Sequence, residues 1–133
     1  MKQLVWLLRD VVFAAHDQSL AQFGGLAGVR DEAMLESALG KLLTLFAYGK
    51  PGVFDLAASY AYGIVKNHPF VDGNKRSGLI AAVVFLQING YHFEASEVDA
   101  VLHTLALAAG ERSEAQYAAW LKANSKRRRN NPV

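Results

Sequence analysis

The chain has 133 residues, 52% of them hydrophobic and 20% charged, with three prolines and no cysteine. That length fits one domain able to bury a core without disulfides or metals, and the composition excludes both a disordered chain and any thiol or cysteine–zinc chemistry. The formal charge of +2 comes from the end of the chain: Lys126, Arg127, Arg128 and Arg129 supply four of the fourteen cations, and the remainder holds ten basic against twelve acidic residues, a net of −2, which is not a nucleic-acid-binding body.

Leu4, Leu7, Leu8, Val11, Val12 and Ala15 recur at spacings of three and four, which predicts a first helix over about Gln3 to Asp17. Arg9 and Asp10 interrupt its apolar stretch, and no unbroken apolar run in the chain approaches the roughly 18 residues of a membrane span. The following FGGLAGVRD holds Gly24, Gly25 and Gly28 and reads as a loop, with Arg30 either bordering a binding groove or paired to an acid. Asp31 is placed to cap a second helix, DEAMLESALGKLLTLF, whose apolar positions include Ala33, Leu35, Leu39, Leu42 and Leu43. VFDLAASYAYGIVKN predicts a third helix, weakened at Gly63 by up to about 1 kcal/mol relative to alanine. It should end near Asn67, because His68 precedes Pro69 and pre-proline residues are displaced from the helical region.

A fourth helix is expected from about Lys75 or Ser77 through GLIAAVVFLQ to Asn89, with Gly90 as its stop. It is apolar nearly all round and therefore the central helix. YHFEAS is a short strand or a turn. Ser96 with Asp99, and Ser113 with Gln116, have the spacing of capping boxes and open two closing helices, about Glu97 to Ala109 and Glu114 to Ala123. The fold class is all-α, a compact bundle of about six helices around the one ending in VVFLQ. The expected division is a domain over 1–124 and a basic, disordered tail over 125–133.

Between the third and fourth helices lies HPFVDGNKRSG. A loop entering a helix N-terminus is an anion site by geometry, since the first amides have no intrahelical partner and carry partial positive charge. Gly73 and Asn74 are the positions best suited to the left-handed angles that curl such amides inward. Lys75 and Arg76 add cations, and Asp72 offers a hard divalent ion a carboxylate oxygen. His68 carries an imidazole, whose neutral form is able to accept a proton from a hydroxyl. The loop thus holds the parts for phosphoryl or nucleotidyl transfer, or for phosphate binding without turnover, and spacing alone leaves these open.

Pro69 and Phe70 are read as structural. His68 and Asp72 do not make a zinc pair, because Pro69 and Gly73 interrupt any helix between them. His16, His92 and His103 are isolated and read as core or surface residues, and Tyr117 and Trp120 as core.

HPFVDGNKRSG resembles the signature loop of the Fic/Doc superfamily, and AHDQSLAQFGGLAGVRDEAMLESAL, FLQINGYHF and AAW resemble flanking blocks of its death-on-curing branch, in the same order. The resemblance implies the Fic fold with the active loop at the N-terminus of the central helix, ATP as substrate with Mg2+, and a cytoplasmic toxin held by a cognate antitoxin. It implies His68 as general base, Asp72 as metal-binding acid, Gly73, Asn74, Lys75 and Arg76 as the ATP-phosphate site, and no membrane partner. Lys75 and Leu79 stand where AMP-transferring Fic enzymes have glycine and a second arginine. The death-on-curing branch shares GNKR and is known for a protein kinase acting on elongation factor Tu to inhibit translation. The expectation is therefore a protein kinase toxin, with AMP transfer and a non-catalytic antitoxin-binding module as alternatives. Direct nucleic-acid contact is expected only at the basic tail.

Overall fold

Residues 9–49 and 52–128 are described in a computed structural model, and they form six helices and a two-stranded ribbon. In chain order these are α1 (Arg9–Phe23), α2 (Glu32–Tyr48), α3 (Val53–Asn67), α4 (Asn74–Ile88), β1 (Tyr91–Phe93), α5 (Glu97–Ala109), α6 (Glu114–Ala123) and β2 (Ser125–Arg127). No described helix is long and apolar enough to cross a membrane.

The helix starts follow their caps. Asp31 accepts from the Met34 amide, Ser96 from Asp99 and Ser113 from Gln116, each satisfying one amide that the helix itself cannot. Gln116 returns the contact to the Ser113 amide, completing a capping box. Gly110 closes α5 in the left-handed conformation.

The apolar α4 is not the sole centre. It packs on α1, α3, α5 and β1, whereas α3 packs on α2, α4, α5 and α6, so the two share the core. Leu56, Ala57, Ile64, Ala82, Phe85 and Leu86 are all sealed from solvent between them and their neighbours. Glycine sets the closeness of the pair: a Cβ on Gly78 would lie 2.8 Å from Val65 Cγ1 and 3.0 Å from the Ala61 carbonyl oxygen. Gly63 likewise lets α3 approach Ala38 of α2, where a Cβ would come to 3.0 Å.

Several expectations need correction. α1 continues six residues past Asp17 to Phe23, because Ser19 and Leu20 still face the protein although DQSLAQ lacks a clear apolar period. Within it Val11 is exposed while Val12 and Ala15 are buried; Leu4, Leu7 and Leu8 lie outside the described residues. Ala33 of α2 is exposed as well. YHF is a strand, and its partner is the start of the basic run: Tyr91, His92 and Phe93 pair antiparallel with Arg127, Lys126 and Ser125. Residues 125–127 thus form a strand, with the Lys126 and Arg127 side chains both exposed; Arg129 lies outside the described residues.

Candidate functional site

The α3–α4 loop is built from inside outward. Phe70 is buried, stacked face to face on His16 at 3.7 Å between centroids and meeting Phe13 edge-on at 6.0 Å. Asn74 clips the loop around it, accepting from the Phe70 amide through Oδ1 and donating from Nδ2 to the Phe70 carbonyl, both at 3.0 Å. This corrects the expected role of Asn74. Its side chain is buried and occupied, its backbone is the first turn of α4 rather than left-handed, and only its amide is available to an anion.

The left-handed residues are Gly73 (φ 77°, ψ 20°) and His68 (φ 48°, ψ 54°). Gly73 opens α4 without any side-chain cap, and its carbonyl accepts the Ser77 amide at 2.9 Å. The preceding amides of that turn have no intrahelical partner and form a cluster of donors at the positive end of the helix dipole. His68 leaves the helix as expected before Pro69, but into the left-handed rather than the extended region.

The α1–α2 loop zips onto this segment from outside. Val29 and Phe70 form an antiparallel bridge, the Val71 amide donates to the Gly28 carbonyl at 3.0 Å, and the Arg30 and Asp31 amides both donate to the Pro69 carbonyl. Asp72 is exposed and accepts from the Leu26 amide at 3.2 Å and from the Gly73 amide at 2.8 Å. These two backbone donors hold its carboxyl below the usual carboxylate range. Gly25 has to be glycine here, since at φ 126° a Cβ would stand 2.9 Å from Asp72 Oδ2. Arg76 lies over the Phe23 ring at 5.2 Å and donates to the Gly24 carbonyl at 3.3 Å.

His68, Asp72, Gly73, Asn74, Lys75, Arg76 and Leu79 all line one groove of ≈ 550 Å³, faced by Val101, Thr104 and Leu105 of α5. That volume is in the range that accommodates a nucleotide-sized ligand. Lys75 and Leu79 stand one helical turn apart on its wall, Lys75 exposed and Leu79 half-buried. The sequence model of the Fic/DOC family matches residues 6–86, a span that contains every loop residue just described.

The chain belongs to the Fic/DOC family. It is 32% identical to the protein kinase Doc of Escherichia phage P1 over 115 residues, covering 85% of this chain and 90% of that protein. It is 39% identical to the toxin Doc of Mycolicibacterium smegmatis over 77 residues, covering 55% of this chain but 58% of that toxin. Within the Fic/DOC family it therefore stands with the Doc toxins. The N-terminal Fic domain of a VirB-translocated Bep effector protein from Bartonella quintana, solved with bound ADP, superposes with a TM-score of 0.51. That match covers 80% of this chain and 54% of the solved one at 15% identity, and it bears on the fold alone.

Among the described residues no three His, Asp or Glu side chains are grouped to hold a metal. A lone Asp72 still suits magnesium, which keeps most of its waters and takes one or two carboxylates plus substrate phosphate oxygens. Each Asp72 oxygen accepts one amide and retains a second lone pair for that purpose.

His16 was not assigned to this Fic/DOC site from sequence, and Arg30 was expected to border a groove or pair with an acid. His16 is buried beneath Gly73, its Nδ1 2.8 Å from Ser77 Oγ, and burial pushes its pKa down. The signal was its place on the stripe Val12, His16, Ser19, at helical spacing along the buried face. Arg30 does not line the groove, and among the described residues it pairs with no acid; it donates to the carbonyls of Asn67 and His68.

Proposed function

We propose that the chain is the toxin of a toxin–antitoxin pair and a protein kinase, moving the γ-phosphoryl group of ATP onto a hydroxyl of a translation protein, elongation factor Tu by family resemblance. The observation that carries this reading is the convergence of His68, Asp72 and the uncapped N-terminus of α4 on one groove. The phage relative's name as a protein kinase supports phosphoryl-transfer chemistry.

In this mechanism the amides after Gly73, with Lys75 and Arg76, hold the ATP phosphates; Asp72 would hold magnesium, which would supply charge neutralisation on the phosphate oxygens. His68 accepts the proton of the target hydroxyl as its oxygen attacks the γ-phosphorus, and ADP leaves. Leu79 provides no cation deeper along α4, so the phosphate chain is gripped only at the helix start, and this favours the terminal phosphoryl as the group presented to the target. The cognate antitoxin would silence the chain in the cytoplasm by binding it.

ATP labelled at either the γ or the α position tests the reaction. Incubation with translation proteins should label the target from γ only, and transfer from α would replace this reading by AMP transfer. His68→Ala should lower transfer by about 10² to 10⁴-fold and abolish growth inhibition while antitoxin binding persists. Undiminished toxicity in that variant would leave a non-catalytic binding module.

A further inference from the structure

His68 is, among the described residues, the one non-glycine with a positive φ. An L-residue holds that conformation only where its surroundings over-determine it, and the proline that follows narrows its options further. The surroundings here are one residue and its neighbour. Arg30 donates from Nε to the His68 carbonyl at 2.7 Å and from Nη2 to the Asn67 carbonyl at 2.9 Å. The amides of Arg30 and Asp31 then take the Pro69 carbonyl at 2.7 and 3.0 Å. Three successive carbonyls at the negative end of α3, which the helix cannot satisfy itself, are thereby fixed in direction.

We infer that Arg30 is a positioning residue: its guanidinium fork locks the backbone of His68 left-handed and so aims the imidazole into the groove it shares with Asp72 and the start of α4. Turning either peptide that flanks His68 would swing the ring away and would break one arm of the fork. The planar, two-pronged donor is what the geometry uses, because a lysine ammonium would keep the charge at the helix end without bridging two carbonyls in one plane. Arg30 stands outside the residues that line the groove, so its effect on the reaction passes through His68.

The inference rests on the reading of His68 as proton acceptor, and the test separates the two. In the full chain, Arg30→Ala and Arg30→Lys should each lower kcat by roughly 10 to 100-fold with KM for ATP within about 2-fold of wild type, the pattern of a misplaced base and an intact phosphate site. Added guanidinium ion should restore part of the kcat of Arg30→Ala and none of that of His68→Ala. The backbone and ring resonances of His68 should move in both Arg30 variants, with the rest of the spectrum and the melting transition retained. Wild-type kcat in Arg30→Ala, or unmoved His68 resonances in either variant, overturns the inference. If the wild-type chain transfers nothing from ATP, the kinase reading fails, and the His68 resonances still decide whether Arg30 fixes that backbone.

Discussion

His16 joins the buried face of α1 to the loop that carries the site, with one ring face on Phe70 and Nδ1 on Ser77. Its Nε2 has no hydrogen-bond partner among the described residues. Desolvation lowers its pKa below 6.5, Arg76 adds to that, and the carboxylates of Asp17 and Asp72 only partly oppose it. Between the folded and unfolded values the unfolded chain therefore binds more proton, so this residue's contribution to stability is full above about pH 6.5 and is lost as pH falls through the folded value. Denaturant midpoints of wild type and His16→Asn, measured from pH 7.5 to 5, should diverge most at neutral pH and converge toward acid. A constant gap across that range would show that folding leaves the proton affinity of His16 unchanged. The residue was legible as core from its spacing, but its contact with the loop was not, because Ser77 lies 61 positions away.

At the scale of elements, Gly63 and Gly78 show where propensity and packing disagree. Glycine within a helix costs about 1 kcal/mol relative to alanine. At Gly78 the added methyl meets the Ala61 carbonyl oxygen at 3.0 Å, an atom fixed in the hydrogen-bond ladder of α3, and Val65 at 2.8 Å. Overpacking of this kind costs about 1–3 kcal/mol, so Gly78→Ala should lower stability by about 1 kcal/mol net and Tm by several degrees. Gly40 supplies the contrast: it is exposed on α2 with nothing within 4 Å of a Cβ. Gly40→Ala should raise stability by about 0.5–1 kcal/mol. Thermal melts of the two variants check the pair, and stabilisation by both would show that α3 and α4 can separate without loss. Helix existence and the bounds of α3 were readable because caps, breakers and apolar spacing agree there. The end of α1 and the left-handed turn at His68 were not, since both depend on contacts with segments distant in the chain.

Across the whole molecule, the groove takes one wall from the α3–α4 loop, its outer clamp from the α1–α2 loop and its facing wall from α5. α5 is anchored at its N-terminal end. Asp99 accepts from Trp120 Nε1 at 2.9 Å, tying α5 to α6, and lies 3.3 Å from Nε2 of His103 in its own helix. Before α5, Tyr91 and Phe93 of β1 sit edge-on to Phe54 and Trp120. The ribbon then closes the circuit, because β2 follows α6 and pairs back onto β1, with the Glu94 amide on the Asn124 carbonyl and the Arg128 amide on the Gly90 carbonyl. Composition alone assigned this stretch to a tail because its charge is visible, whereas its partner strand lies more than thirty residues earlier. A two-stranded ribbon is marginal in isolation, so β2 contributes through the packing of β1 on α3, α4 and α6 and through its own contact with α6, where the Ser125 hydroxyl donates to the Leu121 carbonyl. Ending the chain after Asn124 removes the ladder and should cost about 1–3 kcal/mol, from two or three net hydrogen bonds, whereas ending it after Arg128 should stay within about 0.5 kcal/mol of the full chain. Urea unfolding gives both values, and hydrogen exchange at residues 91–93 should accelerate in the shorter chain alone. Equal stability and equal protection in the two truncations would mean that the basic segment carries charge and no part of the fold.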